Sequence, residues 1–279
     1  MYLKKFEEIR LIQEFGKEWQ RFDQSKLSSY EHNVLFDNYF KILPKNFFKN
    51  KPVCADLGGG SGRWSLIIVK KVKKLIFVEP SLEAINVAKK KLIKFRNVTF
   101  INEKIENLKI KNNFLDFAFS LGVLHHTNNY LKAIKLIRKK IKIKGFFLIY
   151  LYYNFENRPI FYFYLWYLSN ILRKIISLFP FNLKKFICDL IAIFIYYPVA
   201  KFSKLLDYLK INSMNMPLSF YKNTSLYTMR TDSLDRFATT IEKRFSKDQI
   251  KKILINCGFY NIRFSNSAPY WCVLCQRKN

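Results

Sequence analysis

The chain of 279 residues is 50% apolar and 25% charged, enough material for a sizeable core, which excludes an intrinsically disordered protein. Eight Gly and eight Pro exclude collagen-like and linker-rich classes, and no self-similar period marks a solenoid. Lys and Arg number 49 against 20 acidic residues, a balance of +29 that would attract phosphate backbones or anionic headgroups, although A/T-rich coding also produces such a Lys-, Asn-, Ile-, Phe- and Tyr-rich chain.

The opening MYLKKFEEIRLI carries acids where a signal peptide needs an apolar run, and the five cysteines, at 54, 188, 257, 272 and 275, are odd in number. Both features predict a reduced, cytoplasmic protein. Cys272 and Cys275 are three apart in YWCVLCQ, which reads as a strand, so they point to opposite faces and are not expected to share a metal.

Residues 1–50 read as a polar-aromatic helical extension ending at the Pro44 and Pro52 breaks. VCADL (53–57) and LIFVE (75–79) follow as strands, and Leu82, Ile85, Ala88 and Leu92 fall at helical spacing behind Ser81 as N-cap. VTFIN (98–102), FLDFAFS (114–120) and GFFLIYLYY (145–153) supply three more strands, with a basic helix over 129–141. A helix near 246–257 precedes GFYNIRF and PYWCVLCQ, spaced as an edge hairpin. The expected fold class is α/β, a doubly wound Rossmann-like sheet of seven mostly parallel strands with a terminal antiparallel hairpin.

A core over 51–154 and a completing segment over 241–279 are interrupted by a helical insert at 155–240. It holds PIFYFYLWYLSNIL (159–172) and FICDLIAIFIYYPVA (186–200), each shorter than the roughly 20 residues a bilayer span needs. The insert packs on the sheet as a plain helical layer, or it is a lid or interfacial element touching an anionic membrane, with Arg173, Lys174, Lys184 and Lys185 at its edges.

VCADLGGGSGRW carries the chemistry. Asp56 ends a strand, Gly58, Gly60 and Gly62 alternate after it, and a helix begins near Trp64. The pattern is acid-x-G-x-G-x-G rather than the dinucleotide G-x-G-x-x-G, and an acid there repels a pyrophosphate but suits an ammonium and a sulfonium. S-adenosylmethionine has both. Glu79, ending the second strand, is placed to accept both ribose hydroxyls.

D56-L-G-G-G-S-G62, Glu79 and S120-L-G-V-L-H-H-T127 together resemble a class I S-adenosylmethionine-dependent methyltransferase of the type-11-like family, over roughly residues 50–150. FGKEW (15–19), LFDNYF (35–40), YLYYNFENRP (150–159), YTMRTDSLDRF (227–237) and PYW (269–271) resemble the flanks of one subgroup. The resemblance implies that Asp56, Gly58, Gly60 and Gly62 surround the methionine part of the cofactor and Glu79 and Pro80 its ribose. Ser120 and Leu121 would back the cofactor. Where the family often has an acid contacting the adenine, this chain has Lys104, which leaves adenine to Ile105 and backbone groups.

Methyl transfer from a sulfonium needs alignment and exclusion of water and requires no metal. An oxygen or nitrogen acceptor also loses a proton, for which His125 and His126 are the candidate bases, whereas His32 reads as a packing or surface residue. Tyr152 and Tyr270 are candidates to contact the substrate. So are Arg230 and Asp232, unless they with Asp235 and Arg236 form an ion-pair network. The expected activity is methyl transfer to O, N or C of a small or lipid-like acceptor. The alternatives are an RNA-binding protein or RNA methyltransferase, motivated by basic helices at KKKLIK (89–94) and RKKIKIK (138–144), and an inactive membrane-surface accessory protein.

Overall fold

The computed structural model describes residues 2–279, with side chains from residue 7 onward. The chain divides into two compact units. One comprises the chain up to Gln24, Asn33–Asn154 and Lys243–Asn279, and the other Ser25–His32 with Phe155–Glu242.

In the first unit seven strands, β1 (Val53–Leu57), β2 (Lys74–Val78), β3 (Val98–Ile101), β4 (Leu115–Leu121), β5 (Ile141–Tyr150), β6 (Phe259–Phe264) and β7 (Cys272–Arg277), form one sheet in the order β3-β2-β1-β4-β5-β7-β6. β1 to β5 are parallel and β6 and β7 antiparallel, as the sequence predicts. β5 starts earlier than expected, at Ile141 rather than Gly145, beyond a register shift against β4 between Leu115 and Phe117. The run RKKIKIK is therefore half helix and half strand, which removes it as a continuous basic helix.

Strand side chains alternate between two packed faces. Ala55, Leu57, Val78, Ala118, Phe147, Ile149, Val273 and Cys275 join one core with Ile134 and Ile137 of α5 (Tyr130–Lys140) and Ile250 and Leu254 of α10 (Lys247–Asn256). The opposite face presents Phe117 and Phe119, which meet Phe47 at 5.0 Å and Phe40 of α2 (Ser29–Phe40) at 5.4 Å. Cys272 and Cys275 follow this alternation, Cys272 Sγ donating to Tyr39 O and Cys275 Sγ to Phe147 O. Alternation thus separates the thiols as expected, and burial holds both in the protonated form, Cys272 at about 12.

Two helices meet the first loops. α3 (Arg63–Ile68) follows β1, and α4 (Leu82–Leu92) follows β2, with Ser81 accepting from Ala84 N as N-cap. The amino-terminal helix α1 (Tyr2–Arg21) packs on α4, its Gly16 so close to Ser81 Oγ that a Cβ would collide.

The second unit is helical: α6 (Phe161–Ile176), α7 (Phe181–Ile191), α8 (Tyr197–Tyr208) and α9 (Leu226–Ala238). α7 continues through a π-turn at Ala192–Tyr196 into α8, making one helix of 28 residues, Phe181–Tyr208, which contains an 18-residue stretch of mean hydropathy 1.6. The sequence predicts a helical stretch over 186–200 only, too short to cross a bilayer; extended to Phe181 and Tyr208, the helix passes that test by length and composition alone. Pro198 sits in the first turn after the π-turn, where the widened backbone tolerates a residue without an N–H.

α6 and α7 both pack on α9. Ser225 caps α9 by accepting from Thr228 N, and Glu31 Oε1 accepts from Ser225 N at 2.8 Å and from Thr228 Oγ1 at 2.6 Å. At the other end Arg173 donates to Thr239 O at 2.6 Å and Lys184 Nζ to Ala238 O at 3.2 Å. Cations there satisfy orphan carbonyls and the negative end of the helix dipole. Arg173 and Lys184, expected as edge cations, are consequently buried inside the unit.

Candidate active site

The topological switch of the sheet lies between β1 and β4, because the chain winds outward from β1 in one direction and from β4 in the other. The crevice beyond the carboxyl ends of those strands is where open α/β sheets bind ligands. The β1 loop enters it as the sequence predicts, with Gly58, Gly60 and Gly62 at φ 80°, 54° and 74°. Such angles strain any residue with a Cβ. A Cβ on Gly60 would also come within 2.8 Å of the Trp19 indole, and one on Gly58 within 2.6 Å of Val123. The loop is cramped as well as left-handed, and α1 lies against it.

Asp56 and Glu79 are brought together around this loop, 2% and 6% exposed. Glu79 Oε2 accepts from Gly60 N at 2.9 Å and Oε1 from Ser81 N at 3.1 Å, so the second carboxylate is tied to the glycine loop by main-chain donors. Asp56 Oδ2 accepts from Ser65 Oγ at 2.7 Å. Burial pushes both carboxyls up to about 7, overcoming the lowering by their hydrogen bonds, and the nearby Glu79 charge raises Asp56 further. Two buried acids with elevated pKa at one crevice are suited to a cation.

Ser61 Oγ is buried in the same loop with no hydrogen-bond partner, an orphan polar atom beside the two acids. Ser61 O and the Asp23 carbonyl both accept from Lys91 Nζ, which burial lowers to about 8. This link fastens the segment after α1 to the loop. The glycine cradle, the paired carboxylates and the unsatisfied hydroxyl fit a positively charged nucleoside ligand such as S-adenosylmethionine.

The remaining expected residues are placed unevenly. Pro80 follows Glu79 at the crevice, its carbonyl accepting from Asn102 Nδ2 at 2.8 Å. Leu121 ends β4 at the rim, paired with Tyr150. Ser120 spends its hydroxyl on Leu57 O at 3.0 Å, fastening β4 to β1, so its contribution is to position the loop. Ile105 is buried in the hydrophobic core rather than presented at the surface of the crevice, and Lys104 pairs with Glu8 at 3.1 Å.

His125 and His126 lie in a 3-10 turn, Leu124–His126, after β4. The His125 ring is fully buried, stacked on Tyr152 at 3.8 Å and 4.0 Å from the His126 ring, which meets Phe15 at 5.3 Å. Neither ring nitrogen of His125 has a hydrogen bond. Burial, aided by the His126 and Arg244 charges, holds it well below the ordinary histidine value, so it is neutral. Tyr150 and Tyr39, 5.3 Å apart, extend the aromatic wall. Tyr270 contacts Tyr153 at 5.6 Å.

Arg230 and Asp232 belong to the second unit, as does His32. Arg230 Nε and Nη2 grip Asp189 at 2.8 Å each, and Arg236 pairs with Glu242, so both arginines are held in ion pairs within that unit. Ser61, Ser65 and Trp19 were not singled out by the sequence reading. Ser65 sits in the first helical turn after the glycine loop, and Trp19 closes the FGKEW segment, the only signals that pointed to them.

Strand order and the glycine loop at the switch point define a Rossmann-like fold with a ligand crevice flanked by two carboxylates. A methyltransferase-domain family matches residues 55–149, about a third of the chain. Among solved structures, a proposed S-adenosylmethionine-dependent methyltransferase from Methanococcus maripaludis is similar at TM-score 0.52 and 13% identity, over 95% of this chain and 92% of that one. One from Thermotoga maritima, described as a possible histamine N-methyltransferase, is similar at TM-score 0.50 and 13% identity, over 95% and 100%. One from Listeria monocytogenes is similar at TM-score 0.50 and 12% identity, over 90% and 100%. At these identities the likeness is one of fold. No curated protein matches the chain.

Proposed function

We propose that the protein transfers the methyl group of S-adenosylmethionine to an oxygen, nitrogen or carbon atom of a small or lipid-like acceptor in the cytoplasm. The observation that carries this reading is the pair of buried carboxylates, Asp56 and Glu79, on either side of three left-handed glycines at the switch point. Bound there, the cofactor supplies a methyl carbon already activated by its sulfonium. Asp56 would hold the ammonium and Glu79 the ribose hydroxyls, while Gly58 and Gly60 let the main chain come close.

The protein's own part in the transfer is alignment and exclusion of water. Aromatic faces at Tyr152 and Tyr150 tolerate a cationic centre. His125, neutral and with both ring nitrogens unpartnered, can take a proton from an oxygen or nitrogen acceptor. The apolar exterior of the second unit supports a lipid-like acceptor, and five buried free cysteines support a reducing compartment.

Calorimetric titration with S-adenosylmethionine tests the reading: saturable binding that is lost in Asp56→Ala and in Glu79→Ala is expected, and an unchanged titration in both variants overturns it.

A further inference from the structure

Three quarters of the exposed large apolar side chains among the described residues lie between Ile160 and Met214. Only one stripe of α6, including Trp166, Arg173 and Ile176, is shielded, while Phe163, Tyr164, Tyr167, Leu168, Leu172 and Ile175 are all exposed. On Phe181–Tyr208 the buried stripe is Lys184, Cys188, Ala192, Tyr196, Ala200 and Ser203, and Phe186, Phe194, Ile195, Phe202 and Leu205 face outward. A soluble monomer's largest apolar patch is typically only about 300–600 Å².

Charge decides what covers this surface. Lys174 in the last turn of α6, Lys204 in α8 and Lys210 just beyond it are exposed and make no ion pair. Lys185, in contrast, is tied to Asp189. Unpaired cations beside an apolar, tyrosine-containing face match an anionic headgroup layer over acyl chains. A second copy, carrying the same +29, would set lysine against lysine.

We infer that the outer face of α6 and of the continuous helix Phe181–Tyr208 docks in the interfacial layer of an anionic bilayer, with the helices lying along the membrane. Lying along the surface fits the helix better than crossing. Between Lys185 and Lys201 it has only residues 186–200, about 22 Å at ~1.5 Å per residue against a hydrocarbon core of ~30 Å. Its other side is committed to α9, which carries Arg230, Asp232, Asp235 and Arg236. The inference does not depend on the cofactor reading.

The test is flotation of the full chain with vesicles of phosphatidylcholine, alone or mixed with phosphatidylglycerol. Flotation with the mixed vesicles and release by alkaline carbonate are expected. Lys174→Glu, Lys204→Glu and Lys210→Glu combined should weaken binding roughly 100-fold or more, at about tenfold or somewhat less for each positive charge removed and more for reversal. Phe186→Ser with Phe194→Ser should abolish it, while the circular dichroism spectrum and melting temperature stay those of the parent as proof of folding. Asp56→Ala should leave flotation unchanged. Failure to float, flotation indifferent to lipid charge, retention after carbonate, or a vesicle-free dimer that the two Phe substitutions dissociate would each overturn the proposal.

Discussion

The main-chain amide of Gly60 donates to Glu79 Oε2 at 2.9 Å, joining the loop after the first strand to the end of the second. This bond makes the Glu79 carboxylate and the glycine cradle one unit, so the carboxylate is positioned before any ligand arrives. Glu79→Gln retains one acceptor oxygen but loses the charge. Because hydrogen bonds to a charged group contribute about 1.5–3 kcal/mol, affinity for S-adenosylmethionine should fall roughly 10- to 100-fold by calorimetry. Folding stability at neutral pH should not fall in parallel, since a buried acid is removed.

Gly60→Ala combines a left-handed φ with a Cβ 2.8 Å from the Trp19 indole. A loss of about 1–3 kcal/mol is expected in urea unfolding, with weakened cofactor binding. Trp19→Ala in the same chain should recover the part due to collision but not the part due to φ, so the double variant remains less stable than Trp19→Ala alone.

Asp56 and Glu79 each titrate at about 7, against an ordinary carboxyl value near 4. The folded state therefore holds protons more tightly than the unfolded chain. The stability these groups contribute is fully present below about pH 4, declines as pH rises, and is gone above about pH 7. A cationic ligand favours the ionised forms, so binding should release protons at about pH 6 and none at about pH 8.5. Calorimetry in two buffers of different ionisation enthalpy measures this release, and Asp56→Asn should reduce it.

His125 is buried with both ring nitrogens unsatisfied, an arrangement that costs stability. His125→Phe keeps the stacking with Tyr152 and removes the orphan atoms. Its melting temperature should match or exceed that of the parent and its cofactor binding should persist, whereas turnover on an oxygen or nitrogen acceptor should fall about 100-fold or more. A lowered melting temperature would show that the imidazole is a packing requirement.

The alternation of strand and helix, the place of the glycine loop and the two acids that flank it were legible in the residues themselves. Each rests on local rules: apolar period, turn chemistry, and the Cβ-free backbone of Gly58, Gly60 and Gly62. The pairing of Arg230 with Asp189, 41 residues away, and the withdrawal of Arg173 and Lys184 to the carboxyl end of α9 were not. A charged side chain reads the same in sequence whether it meets water, a ligand or a distant partner, and only packing chooses.

Sequence by itself determined the sheet and its glycine loop, because patterns of neighbouring residues dictate strands, turns and charge at a strand end. Tertiary structure alone decided that Trp19 lies against Gly60, that His125 is sealed beneath Tyr152, and that a π-turn carries one helix past Pro198. These depend on which surfaces meet after folding, and the same contacts determine which cations remain exposed beside the apolar helices.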